Sequence, residues 1–208
     1  MNTSSDPIRV VLFDLGGVLV ELSGVAALLA WMNNRLSAEE LFMMWLRSPA
    51  VRSFERGQAS PKVFAEQLIK EMGLPVEGQQ FLTEFTGWAK DLFPGARELV
   101  RRVPRSYVRA SLCNTNMLHW PRLMDEMMLS DAFDHHFASH LIGKIKPDDD
   151  AFQHVMDTLD CRPSEILFLD DNQINVDAAQ RLRIHAVQVR GVQEAERALV
   201  QAGVIQAT

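Results

Sequence analysis

The stretch Arg9-Val10-Val11-Leu12-Phe13-Asp14-Leu15-Gly16-Gly17-Val18-Leu19 decides the fold. Four apolar residues follow Arg9 without polar alternation, which predicts a strand covered on both faces, as in a parallel sheet. The run stops at an acid, Asp14, and then at Gly16-Gly17, a turn signal at the strand's carboxyl end. Farther along, the same order of apolar run and polar stop recurs. Residues 107–112 end at Cys113-Asn114-Thr115-Asn116, residues 166–169 at Asp170-Asp171-Asn172, and residues 185–189 at Gly191, with a weaker run at 133–137.

Helical patterns separate these runs. Residues 94–103, 121–129, 149–159, 175–182 and 193–201 are each expected to form a helix. Strand and helix therefore alternate, the pattern of a doubly wound, mainly parallel α/β sheet of Rossmann-like type. Residues 23–92 break the rhythm and read as amphipathic helices with no strand. Ser37-Ala38-Glu39-Glu40 has capping-box spacing. Ser60-Pro61 starts another helix with Phe64, Leu68 and Met72 on one stripe, and Gly73-Leu74-Pro75 ends it. So much helix exceeds a simple crossover. The expected organisation is an α/β core, 1–22 and 93–208, interrupted by an inserted α-helical cap, 23–92. Trp31, Trp45 and Trp88, with Met32, Met43 and Met44, read as packing within that cap.

The chain has 208 residues, 47% of them hydrophobic and 23% charged, which suits a folded globular protein and excludes disordered and fibrous classes. A net charge of −6 argues against nucleic acid or an acidic membrane surface as partner, since both need clustered Lys and Arg. Two cysteines, Cys113 and Cys161, are too few for a disulfide framework and point to a reducing, cytoplasmic compartment. Residues 1–10 lack the apolar core of a cleaved leader. Residues 25–32, the richest apolar stretch, fall short of the ~20 residues needed to span a bilayer.

In an open parallel sheet, ligands bind outside the carboxyl ends of the strands. The polar residues collect there: Asp14, Cys113-Asn114-Thr115 and Asp170-Asp171, with Lys146 following the third strand in Gly143-Lys144-Ile145-Lys146-Pro147-Asp148. Singly, each has an ordinary use, an aspartate as a helix cap and a lysine before proline as a surface loop residue. Together, three carboxylates repel and raise one another's pKa values, and a divalent cation resolves that conflict. Oxygen donors suit Mg²⁺. A lysine beside them adds positive charge for a phosphate. The combination predicts metal-assisted phosphoryl transfer on a small phosphorylated metabolite.

The ordered motifs Phe13-Asp14-Leu15-Gly16-Gly17-Val18-Leu19, Leu112-Cys113-Asn114-Thr115-Asn116, residues 143–148, and Phe168-Leu169-Asp170-Asp171-Asn172 with Asn175-Val176 resemble the haloacid dehalogenase superfamily. The nearest look is to the branch containing α-D-glucose-1-phosphate phosphatase and the phosphatase domain of soluble epoxide hydrolase. The resemblance covers nearly the whole chain, and the helical insertion falls where that superfamily carries helical caps. It implies that Asp14 is the nucleophile, attacking phosphorus to form an aspartyl-phosphate. It further implies Asp14, the Gly16 carbonyl and Asp171 as Mg²⁺ ligands, with Asp170 supporting the metal through its waters. Lys146 would hold the nucleophile and the phosphoryl group. Cys113, Asn114 and Gly17 would cradle the phosphate, and Asn175 would brace the metal loop.

Two positions depart from the family's pattern. The family has a second Asp two residues after the nucleophile, which protonates the leaving oxygen and later activates water. Gly16 stands there instead, and loss of such a group costs ~10²–10⁴ in rate. Glu21 and His119 are replacements the sequence offers, against plain uses as a solvated carboxylate and a helix cap. Cys113 stands where the family has Ser or Thr, and a thiol is the weaker donor. Its plain use is as a small buried strand-end residue; the sharper one is a weakened cradle open to oxidation. Ser53-Phe54-Glu55-Arg56-Gly57 resembles a Glu-x-Gly element of the same branch, with Arg56 expected to face solvent. His135, His136 and His140 match no metal-ligand spacing. Two rivals stay open: a metal-independent dehalogenase-type hydrolase, against which Asp170-Asp171 argues, and a catalytically weak or non-catalytic member that binds phosphate ligands.

Overall fold

The computed structural model describes residues 7–207. Residues 1–6, on which most of the expectation of no cleaved leader rests, and Thr208 lie outside the described residues. The described residues form seven strands in chain order: β1 (Val10–Phe13), β2 (Val20–Leu22), β3 (Ala89–Leu92), β4 (Val108–Cys113), β5 (His135–Ala138), β6 (Ile166–Asp170) and β7 (His185–Gln188). Five of them form one sheet in the order β5-β4-β1-β6-β7, and every pairing in it is parallel. β1 lies at the centre, as its unbroken apolar run predicts.

Successive β1 side chains point to opposite faces of the sheet and both faces are covered. Val10 and Leu12 enter one apolar layer with Phe152, Val155, Val176 and Ala179. Val11 and Phe13 enter the other with Leu99, Val100, Leu123 and Leu199. The covering helices are α6 (Ala96–Arg102) and α10 (Gly191–Gln201) on the second face, and α8 (Asp149–Leu159) and α9 (Gln173–Arg181) on the first. A short helix, α7 (Ser139–Ile142), leaves β5 toward the site. No helix among the described residues is long and apolar enough to cross a membrane.

Five helices lie between β2 and β3: α1 (Gly24–Trp31), α2 (Ala38–Arg47), α3 (Pro49–Glu55), α4 (Pro61–Met72) and α5 (Gly78–Thr86). They share an apolar centre of their own, built on Leu41, Phe54, Phe64, Phe81, Phe85 and Trp88. The Phe54 and Phe64 rings stack at 4.2 Å, and Trp45 and Trp31 pack on the same group. The starts and stops follow the sequence. Ser37 Oγ accepts from Glu40 N at 3.1 Å while Ser37 N donates to Glu40 Oε2 at 2.8 Å, and Gly73 closes α4 in a left-handed conformation.

Two expectations are corrected. Residues 23–92 are not free of strand: Ala89–Leu92 pairs antiparallel with β2. The segment Ala-Lys-Asp-Leu is poor in strand-favouring residues, and it is its partner that makes it a strand. Residues 121–129 are not a regular α-helix but a π-helical turn, Arg122–Glu126. The wider turn keeps Leu123, Met124 and Met127 all buried, while Arg122 bonds outward to the carbonyls of Ala89 and Lys90.

Candidate active site

Because β1, β4 and β6 are adjacent and parallel, their carboxyl ends deliver Asp14, Cys113-Asn114-Thr115 and Asp170-Asp171 to one place. Lys146 arrives from the loop after α7 and is held there by Asn114. The Asn114 Oδ1 accepts from Lys146 N at 2.9 Å, and its Nδ2 donates to the Lys146 carbonyl at 2.9 Å. The Asn114 amide is thus engaged in placing the lysine. Ser139, which sequence reasoning did not single out, ties the same loops: its Oγ accepts from Thr115 N and donates to the Thr115 carbonyl, both at 2.9 Å.

The Lys146 side chain is only 1% exposed, and its Nζ donates to Asp14 Oδ1 and Asp170 Oδ2, each at 2.7 Å. Its ammonium also lies 5.4 Å from the centre of the Phe168 ring. Asp170 is fully buried and accepts further bonds from Asn172 N at 2.8 Å and Asn175 Nδ2 at 3.1 Å. Asn175 therefore braces the loop through Asp170. Asp171 completes the group: one ligand atom from each of Asp14, Asp170 and Asp171 lies within 4.8 Å of the other two. Among the described residues this is the one such gathering of His, Cys, Asp and Glu side chains, and His135, His136 and His140 take no part.

Gly17 explains how the loops approach so closely. It adopts a φ of +71°, and a Cβ there would stand 2.3 Å from Asp171 Oδ2, so only glycine fits. Its N–H donates to the Val20 carbonyl at 2.9 Å. At Gly16 the space a side chain would enter is filled by Leu22, whose Cδ1 is 2.7 Å from the Cβ position.

Electrostatics follow from burial. Desolvation pushes the Asp14 carboxyl up to about 8 against the attraction of Lys146, with Asp170 and Asp171 adding repulsion. Asp171 is raised to about 6, again by burial first and by Asp170 next. Burial pulls the Lys146 ammonium down, but Asp14 and Asp170 outweigh it and hold its pKa above the ordinary lysine range. With all three carboxylates ionised, one ammonium leaves two negative charges, which one divalent cation balances. The all-oxygen donors and the charge count fit Mg²⁺. Burial and the Asp14 charge push the Cys113 thiol well above its usual range, which keeps it protonated and argues against easy oxidation.

The two residues offered in place of the missing acid do not fill the role. Glu21 is exposed on β2. His119 is pinned at both ring nitrogens, Nε2 to the Phe85 carbonyl at 2.7 Å and Nδ1 to the Asn116 amide at 3.2 Å. Arg56, expected in solvent, instead joins Arg52 in an ion pair with Asp148. That pairing is tertiary, and nothing local in the sequence signals it.

Comparison with known proteins agrees with this geometry. The sequence pattern of the haloacid dehalogenase-like hydrolase family matches residues 8–183. A sesquiterpene phosphatase of Aspergillus oryzae is 30% identical over 175 residues, 83% of this chain and 85% of the relative. A D-ribitol-5-phosphate phosphatase of Bacteroides thetaiotaomicron is 24% identical over 188 residues, 87% of this chain and 91% of the relative. A crystal structure of a family enzyme variant from Bacteroides thetaiotaomicron, in complex with magnesium and inorganic phosphate, superimposes with a TM-score of 0.68 at 25% identity, covering 88% of this chain and 94% of that one. An acid at the end of a central parallel strand, a buried lysine, a paired-acid loop and relatives that are phosphatases converge on one conclusion: the chain belongs to the haloacid dehalogenase-like hydrolase family.

Proposed function

We propose that the chain is a Mg²⁺-dependent phosphomonoester hydrolase acting on small phosphorylated metabolites, sugar phosphates among them, through an aspartyl-phosphate. The observation that carries this reading is the meeting of Asp14, Asp170 and Asp171 around buried Lys146 at the carboxyl ends of parallel strands. In this reading Asp14 attacks phosphorus with one oxygen while Lys146 keeps the carboxylate oriented and offsets charge on the phosphoryl oxygens. Asp14, Asp171 and the Gly16 carbonyl would hold Mg²⁺, with Asp170 beneath them. Bound there, the cation supplies charge neutralisation to the phosphoryl group. Asn175 fixes Asp170, and Asn114 fixes Lys146. Cys113, Asn114 and Gly17 are assigned to the wall against the phosphate, with the Thr115 Oγ1 beside them buried and without a hydrogen-bond partner.

The reading places residues 1–22 and 93–208 in the catalytic core and 23–92 in a cap that covers it. The two cysteines are free thiols, as a cytoplasmic setting expects. Purified protein should release phosphate from p-nitrophenyl phosphate with Mg²⁺ and lose that activity when the metal is chelated, with return on adding Mg²⁺ back. Halide release from a haloacid without metal, and no phosphate release, would replace this reading with the dehalogenase. Mg²⁺ or phosphate binding without turnover on a broad panel of esters would replace it with the binding member.

A further inference from the structure

Gly16 leaves this site without the acid two residues after the nucleophile, and the structure carries another carboxyl toward the lysine loop. Glu55 is the last residue of α3, which packs against α7. Arg52 and Arg56, flanking Glu55, both pair with Asp148, two residues after Lys146. Gly57, at a φ of +72°, lies against the α7 backbone so closely that a Cβ would stand 2.4 Å from the His140 carbonyl oxygen. Glu55 therefore sits at a close contact between the helical insertion and the core. Its Oε1 accepts from Trp45 Nε1 at 3.4 Å, and the carboxyl is near enough to Lys146 and Cys113 for charge to act among all three.

Resting on the phosphatase reading, we propose that Glu55 is the proton-transfer group of the reaction, supplying from the insertion the acid that position 16 lacks. As Asp14 bonds to phosphorus, the bond from phosphorus to the leaving oxygen breaks and its electron pair stays on that oxygen. The oxygen takes the proton from Glu55, giving a free alcohol, the aspartyl-phosphate and a Glu55 carboxylate. Water then bonds to phosphorus, the bond to Asp14 breaks with its electrons returning to the carboxylate, and the water's proton restores Glu55.

The surroundings suit that cycle. Burial pushes the Glu55 carboxyl up to about 7, with the Trp45 bond, Lys146 and Arg52 pulling the other way. Trp45 donates to it from α2, and the charges of Lys146 and Arg52 act on it, as its own acts on Cys113 at the end of β4, while Arg52 and Arg56 are paired with Asp148. A group titrating near neutrality can serve both as acid and as base.

The test is Glu55→Gln, which keeps the side chain's shape and an acceptor for Trp45. With a primary alkyl phosphate, kcat/KM, which reports formation of the aspartyl-phosphate, should fall ~10²–10⁴-fold, the usual worth of such a group. With p-nitrophenyl phosphate, whose leaving phenolate needs no proton, the loss in kcat/KM should stay under about tenfold, while kcat falls with both esters because they share the hydrolysis step. Glu55→Asp should recover part of the alkyl activity. In the wild type, kcat/KM for the alkyl ester should fall as pH rises through about 7, with no such limb for p-nitrophenyl phosphate, a readout that stands even if the variant folds poorly. Equal losses of kcat/KM on both esters, or no loss on the alkyl ester, would overturn the role of Glu55 and leave the phosphatase reading standing. A wild type that releases phosphate from neither ester would overturn both.

Discussion

Asp14→Asn is expected to abolish phosphate release while leaving the fold intact. The amide cannot form the acyl-phosphate bond, and losing a covalent nucleophile typically costs ~10⁴–10⁶ in kcat. Folding should not suffer. Asp14 is buried beside Asp170 and Asp171, and the change removes one of three mutually repelling carboxylates while Lys146 keeps its bond to Asp170. Metal-free Asp14→Asn should therefore unfold at the wild-type temperature or above it, since burial and the neighbouring acids already make the ionised Asp14 carboxylate unfavourable in the fold. A variant that retains activity within tenfold would remove Asp14 from the chemistry.

Lys146→Met should damage both activity and stability. The methionine keeps the bulk of the side chain but leaves Asp14 and Asp170 without their shared ammonium, each having been bonded at 2.7 Å. Removing one partner of a buried ion pair costs roughly 3–5 kcal/mol. For a chain of this size that corresponds to a fall of roughly 10 °C in Tm. The pH dependence carries the sign of the cause. Asp14 and Asp171 already stand above the usual carboxylate range, so the folded state holds more protons than the unfolded one between pH ~4 and their folded values. Stability therefore falls as pH rises through that window. Without Lys146 the slope steepens, and the variant should recover most of its stability on acidification. Thermal unfolding of both proteins from pH 5 to 8 checks this; parallel curves would show that Lys146 does not compensate the carboxylates.

Much of this site is legible in the sequence because strand ends are legible. The runs around Val10–Phe13 and Ile166–Asp170 are apolar on both faces, and parallel pairing brings whatever follows them to the same edge. The meeting of Asp14, Asn114 and Asp170-Asp171 follows from that alone. What is hidden is hidden for tertiary reasons. Lys144 and Lys146 share one charged loop, yet Lys144 reaches the surface acid Asp150 at 3.6 Å while Lys146 is buried. The Asn114 amide, clasping the backbone of residue 146, and the buried acids that receive its ammonium set it apart. β3 is hidden because its partner, not its own composition, makes it a strand. Glu55 stands out in the sequence as part of a Glu-x-Gly element, but its approach to the lysine loop is hidden because it depends on Arg52 and Arg56 meeting Asp148, far along the chain.

In the proposed reaction the phosphoryl group passes through Asp14. An acid-quenched single turnover of an alkyl phosphate with Mg²⁺, followed by peptide mapping by mass spectrometry, would catch it there. One phosphoryl group is expected on the peptide containing Asp14, absent in Asp14→Asn and absent when the metal is chelated. Phosphate release with no covalent label on that peptide, or a label on another residue, would contradict it.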